Sequence, residues 1–156
     1  MEREFCRYIF CFIGVIKPTC DEKGIPHELL PQSRYAKAYC VPLNAHGKGP
    51  FCEFYIADGI HQTGVYIVTL NGVPSYVGKC MDLALRWGPQ QYGSISPKNC
   101  YKRGQSTNCK INNLVLQCYK SGEQLELWFC ATKEPGMLER TLINKLRPTW
   151  NSRIPW

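Results

Sequence analysis

Gly64-Val65-Tyr66-Ile67-Val68-Thr69-Leu70-Asn71-Gly72-Val73-Pro74-Ser75-Tyr76-Val77-Gly78-Lys79 is the stretch whose reading decides the fold. Val65 to Leu70 is β-branched and apolar, so it reads as a strand. Asn71-Gly72 is a strong turn signal, and Val73 to Val77 reads as the returning strand. Loop length then sets the facing of the two tyrosines. A two-residue Asn71-Gly72 loop pairs Leu70 with Val73 and sends Tyr66 and Tyr76 to opposite faces. A three-residue loop, Leu70 to Gly72 with Gly72 left-handed in a bulge, pairs Thr69 with Val73 and sets Tyr66 directly across from Tyr76. Asn-Gly supports either turn. If the tyrosines work together, the bulged turn is required.

Downstream, Asp82 suits the N-cap of a short helix with Leu83, Leu85 and Arg86, which Gly88-Pro89 stops. Residues 90–109 are polar and turn-rich. Cys109 to Tyr119 places Ile111, Leu114, Val115 and Cys118 on one helical face, and Ser121-Gly122 ends that helix. Leu125 to Ala131 reads as a central strand. Pro135 opens a last helix with the stripe Leu138, Leu142, Ile143 and Leu146, which Pro148 terminates. Upstream, Pro18, Pro26, Pro31, Pro42 and Pro50 forbid long helices over residues 17–50. Phe51 to Ala57 could form a strand. Tyr8 to Ile16 is almost wholly apolar and reads as a buried strand or short helix. Nine residues cannot span a bilayer, Glu2 and Glu4 precede them, and no small-residue cleavage site follows.

The 156 residues suit one domain, or one domain with a long N-terminal extension, and the apolar share of 44% permits a real core. The net charge is +7, unevenly distributed. Residues 1–63 carry seven basic and seven acidic side chains, which cancel. Residues 79–110 carry Lys79, Arg86, Lys98, Lys102, Arg103 and Lys110 against Asp82 alone, a local +5. Such a stretch favours a polyanion such as nucleic acid, or else makes a solubilising surface. There are ten cysteines, no Cys-x-x-Cys pair and only three histidines, His27, His46 and His61. A zinc site therefore has weak support, and the thiols are expected reduced and mostly buried in a cytoplasmic protein.

Glu139 flanks the apolar stripe of the last helix. A carboxylate half-buried against a core is costly unless paired or bound to a metal, although it could also simply complement the helix dipole. Aromatics in strands usually pack, and Gly64 and Gly78 could only mark bulges. Taken singly, each of these residues has an ordinary structural explanation.

Taken together, Gly-Val-Tyr, then Tyr-Val-Gly-Lys, then Arg ten residues past the second tyrosine, then a helical Glu followed by Asn151, resembles the GIY-YIG nuclease superfamily in order and spacing. Both motifs carry Val where Ile is usual. The resemblance covers residues 62–151. It implies an α+β fold: a small antiparallel three-stranded sheet flanked by helices over residues 61–156, with an irregular extension of unknown role over residues 1–60. It also implies phosphodiester hydrolysis with one Mg²⁺ or Mn²⁺ ion per site and no organic cofactor. By position, Glu139 resembles the sole protein ligand of the metal. Tyr66 and Tyr76 resemble the pair around the attacking water, and Lys79 the side chain that activates a tyrosine. Arg86 resembles the clamp on the scissile phosphate, and Asn151 a polar residue closing the site. Some branches carry a histidine one turn after the arginine; Gln90 stands there, with Tyr92 the candidate substitute.

The physical chemistry agrees with these roles. Tyrosine, with a pKa of about 10, is a poor base unless a nearby cation favours its phenolate. Mg²⁺ takes oxygen ligands and keeps several waters. An arginine grips two phosphate oxygens at once, as a lysine cannot. Gly104 to Asn112 resembles the insert of the restriction-endonuclease branch. Lys98, Lys102, Arg103, Gln105, Ser106, Asn108 and Lys110 are accordingly its expected DNA contacts, the alternative being a polar loop capping the next helix. Homing and repair members append a separate DNA-binding domain; none follows here, which points to a self-contained cutter. The expectation is a type II restriction endonuclease on double-stranded DNA, working as a homodimer on a palindromic site, with no membrane partner. A structure-specific repair or mobile-element nuclease, a non-catalytic DNA-binding relative and a secreted disulfide-rich protein are the alternatives.

Overall fold

The computed structural model describes residues 1–89 and 91–152. It is α+β, and its chain divides into two compact, interleaved units. Unit 1 takes Met1–Ile16, Ile56–Arg86 and Glu123–Trp156, and unit 2 takes Lys17–Tyr55 and Trp87–Gly122. Neither unit has a limit at the 60/61 boundary expected from the motif.

Unit 1 is built on a sheet of five antiparallel strands, not three. The strands are β1 (Glu2–Phe5), β2 (Tyr8–Ile16), β3 (Gly64–Leu70), β4 (Val73–Cys80) and β5 (Leu125–Ala131), in the spatial order β1-β2-β5-β3-β4. The extra two come from the N-terminal extension: β1 and β2 form a hairpin, and β2 pairs with β5 from Cys11–Phe129 to Ile16–Leu125. Its turn, Cys6-Arg7, puts two non-glycine residues at φ 53° and 75°. No glycine, asparagine or proline announces it, so the sequence pattern conceals the hairpin.

Val65 and Ile67 on β3 and Val77 on β4 face helix α3 (Pro135–Leu146). Val65, Ile67 and Val77 there join Phe5, Phe10, Trp128, Leu138, Leu142 and Ile143 in one core. Each such side chain, fully buried, contributes about 1.5–3 kcal/mol. Helix α3 packs along β4, the edge strand, and reaches β3. It ends where Arg147 turns left-handed at φ 49° and donates its amide to Ile143 O, one residue before Pro148.

Unit 2 holds helix α2 (Ser106–Lys120), short 3-10 turns at Pro31–Arg34 and Pro97–Cys100, and a core of Phe51, Ile95, Cys100, Tyr101 and Cys109. Phe51 to Ala57 forms no strand; Phe51 makes an isolated bridge to Leu29. Helix α2 begins three residues before the expected Cys109, because Asn108 and Asn112 occupy its buried face beside Cys109, Ile111, Val115 and Cys118. Asn112 is 0% exposed. Its Nδ2 donates to Cys52 O and Tyr92 O and its Oδ1 accepts from Cys52 N, all at 2.8 Å. Its amide thus fastens the helix to two loop segments, and no polar atom goes unmet. All ten cysteines are free; five are buried, while Cys11 and Cys40 are exposed. Burial pushes the Cys52 thiol up to about 12. Among the described residues no helix is long and apolar enough to cross a membrane.

Candidate active site

The β3–β4 hairpin resolves the question of the tyrosines in an unforeseen way. The loop is the two-residue one: Leu70 pairs with Val73, and Asn71 and Gly72 lie at φ 49° and 84°. That loop alone would split the tyrosines between faces. The register slips between Val68 and Thr69, however, since Thr69 pairs with Pro74 and Val68 with Tyr76. Ser75 is the extra residue of a β-bulge, which flips the strand beyond it by one position. Tyr66 therefore pairs with Gly78 and shares a face with Tyr76 on the diagonal, their ring centroids 6.1 Å apart at 40°.

Both motif glycines are required by close approach. A Cβ on Gly78 would strike the Tyr66 hydroxyl and reach within 2.7 Å of its Cε2, so the phenol lies flat over the glycine. A Cβ on Gly64 would meet the Cys130 carbonyl and Phe129 Cζ at 2.6 Å. Gly78 thus leaves room for Tyr66, and Gly64 for Phe129, each side chain laid across the neighbouring strand.

Lys79 points the other way. It follows Gly78, pairs with Val65 and lies on the α3 face, where its Nζ is 3.5 Å from Glu139 Oε2. The two side chains are 54% and 23% exposed. At that distance and exposure the ion pair is worth at most about 1 kcal/mol, and either partner can exchange it for another charge. The structure therefore forms two pairs, Tyr66 with Tyr76 and Lys79 with Glu139, on opposite faces of one edge strand. Tyr76 and Lys79 are three residues apart, roughly 10 Å along that strand.

Asn151 lies at the outer edge of β4. Its Oδ1 accepts from Val77 N at 2.9 Å and its Nδ2 donates to Val77 O at 2.8 Å, while Trp150 N donates to Ser75 O at 2.9 Å. The side chain mimics a strand partner and fixes the segment between Tyr76 and Gly78.

Arg86 is carried by α1 (Leu83–Trp87), whose cap is the expected Asp82: Leu85 N donates to Asp82 Oδ1 at 2.9 Å. His61 Nδ1 meets Asp82 Oδ2 at 2.8 Å. The Leu85 amide, then the His61 contact, hold the Asp82 carboxyl below its ordinary value of 3.8. The Arg86 charge also reaches Cys80, on the tyrosine face of β4, where it opposes the burial that raises the Cys80 thiol.

The donor set suits a hard divalent ion that keeps most of its waters. Glu139 offers a partly exposed carboxylate next to a cation it can release. No group of three or more His, Cys, Asp and Glu that could cage a metal occurs among the described residues.

The expected DNA contacts lie in unit 2. Lys98, Lys102, Arg103 and Gln105 are exposed, and Ser106 is half-buried. Asn108 is buried at 8% exposure on the inner face of α2, so its amide is not offered to a ligand. Burial lowers the Lys110 ammonium below its ordinary 10.5. Tyr92, at 1% exposure, packs edge-on against Trp87 with centroids 4.9 Å apart, as a core residue. Gln90 lies outside the described residues. Lys37 belongs beside these cations and was missed, because nothing in residues 17–55 announces a charged site; only the fold brings it to Lys98.

No family model, curated protein or solved structure matches this chain.

Proposed function

We propose that the chain is a metal-dependent endonuclease that hydrolyses phosphodiester bonds of double-stranded DNA as a type II restriction enzyme. The observation that carries the reading is the pairing at the β4 edge. Glu139, sixty residues beyond Lys79 in sequence, meets it at 3.5 Å on the strand whose Tyr76 lies against Tyr66.

Tyr76 is half-buried and Tyr66 is 1% exposed, so Tyr76 is the better placed to take a proton from an attacking water. Tyr66, laid over Gly78, orients it. Arg86, whose charge reaches the tyrosine face of β4, supplies the positive charge that favours a phenolate, and Lys79, beside Glu139 on the other face, meets the charge growing on the phosphate. Arg86 can hold two phosphate oxygens. Asn151 is a positioning residue, since both its hydrogen bonds go to Val77. A divalent ion bound by Glu139 would polarise the phosphoryl oxygen and stabilise the leaving one. Cutting both strands calls for two copies on a two-fold site.

The test is cleavage of a mixed duplex library with Mg²⁺ by the native chain and by Glu139→Gln. Discrete fragments from the native chain and none from the variant are expected. Random nicking that the variant loses would keep the nuclease and remove the restriction specificity. Binding without cleavage by either would favour the non-catalytic DNA-binding reading, which the charge of unit 2 also suits.

A further inference from the structure

A pocket of about 490 Å³ in unit 2 is lined by Lys37, Lys98, Lys102 and Arg103, with Tyr35 in its wall and no acidic residue in its lining. None of the four cations is paired with a carboxylate among the described residues. The cations come from two segments far apart in sequence, and a set of hydrogen bonds and a ring contact hold those segments together. Lys102 N donates to Pro42 O at 2.9 Å. Asn44 Nδ2 donates to Asn99 O at 2.7 Å and to Tyr101 O at 3.2 Å. Tyr35 lies over Tyr101, their centroids 4.6 Å apart, and Tyr101 Oη donates to Gln32 O at 2.6 Å. The site is therefore formed before any ligand arrives.

Arg103 is held in place by its turn. It occupies the third position of the turn closed by Gly104 N to Tyr101 O at 2.9 Å, with φ at 75°. That position favours glycine, and any residue with a Cβ is strained there. Four like charges drawn together are also unfavourable without a counter-charge. The volume exceeds that of a lone phosphate, and four cations in one lining suit more than one charge of a strand.

We propose that this pocket grips the phosphodiester backbone of duplex DNA, and that residues 17–55 thereby contribute Lys37 and Tyr35 to substrate binding. This inference rests on the reading of duplex DNA as the substrate. It assigns the pocket a role in affinity and register, separate from the chemistry at β4.

The test is anisotropy of a labelled short duplex without divalent ion, titrated across a salt series, for the native chain, Lys37→Gln/Lys102→Gln and Arg103→Gly. Each phosphate contact contributes a slope of about 0.9 in log affinity against log salt, so the double variant is expected to lose about 1.8 and Arg103→Gly about 0.9. Arg103→Gly is also expected to melt at or above the native temperature, since its backbone relaxes, which separates lost charge from lost fold. Slopes and affinities equal to native would overturn the inference, as would displacement of the duplex by polyglutamate at matched charge. Unchanged slopes in variants of a chain that still cuts DNA would remove this pocket alone. Reduced slopes in a chain that never cuts would keep the pocket and remove the nuclease.

Discussion

Unit 1 carries nine basic and eight acidic side chains, a net +1, whereas unit 2 carries ten and four, a net +6. The near-neutral unit holds the paired tyrosines, Lys79, Arg86 and Glu139; the basic unit holds the cation-lined pocket. The contrast reflects two physical tasks. Bond cleavage needs a few groups in fixed geometry, where a balanced set of charges sets local proton affinities. Holding a polyanion needs a field, which grows with every unbalanced cation and weakens with salt. Unit 1 is accordingly tied down by strand register, a bulge and the Asn151 clamp, and unit 2 by Asn112 and loop contacts that leave its cations exposed.

The sharpest way to break the comparison is Arg86→Ala. If unit 1 does the chemistry, this change lowers the cleavage rate by about 10²-fold or more while the salt slope of binding falls by no more than about one contact. A variant that cuts normally but binds with a much shallower slope would place Arg86 with the cations of unit 2. Next in size is Asn112→Ala. Removing an amide with three buried hydrogen bonds leaves Cys52 N, Cys52 O and Tyr92 O unmet and costs about 3 kcal/mol or more, read by urea unfolding. A loss near zero would mean that unit 2 is not held through this residue.

The third concerns pH. The carboxyl of Asp82 is held low by the Leu85 amide and His61, so its contribution is present above the ordinary carboxylate value and is lost as pH falls through the lowered one. The melting-temperature gap between native and Asp82→Ala should be full at neutral pH and shrink below pH 3.8, the ordinary value of that carboxyl. A gap that grows on acidification would contradict the capping geometry. The smallest effect is in the β1–β2 hairpin. Arg7→Gly relieves a left-handed backbone and should stabilise unit 1 by about 0.5–1 kcal/mol, leaving salt-dependent binding unchanged.

The two units were also unequally legible. Asn71-Gly72 and the β-branched run before it announced β3 and β4, whereas the motif glycines read only as marks of a bulge, and the crossing of Tyr66 over Gly78 came from the fold. The bulge at Ser75 was not legible, since it depends on pairing of both strands, and it alone puts the tyrosines on one face. Cys6-Arg7 turns a hairpin with none of the usual turn residues, so two of the five strands were hidden. In unit 2, Asn108 read as a DNA contact or loop residue and Asn112 as a helix residue off the apolar face, because burial of an amide is decided by partners elsewhere in the chain. The pocket escaped for the same reason: Lys37 lines the same pocket as Lys98 only through the fold.

The most direct test is a paired measurement on Glu139→Gln: Mg²⁺-dependent turnover of one duplex, and the salt slope of binding to that duplex without metal. The division of labour between the units requires turnover to vanish while the slope stays at the native value. Native turnover in the variant, or loss of turnover and slope together, would contradict it.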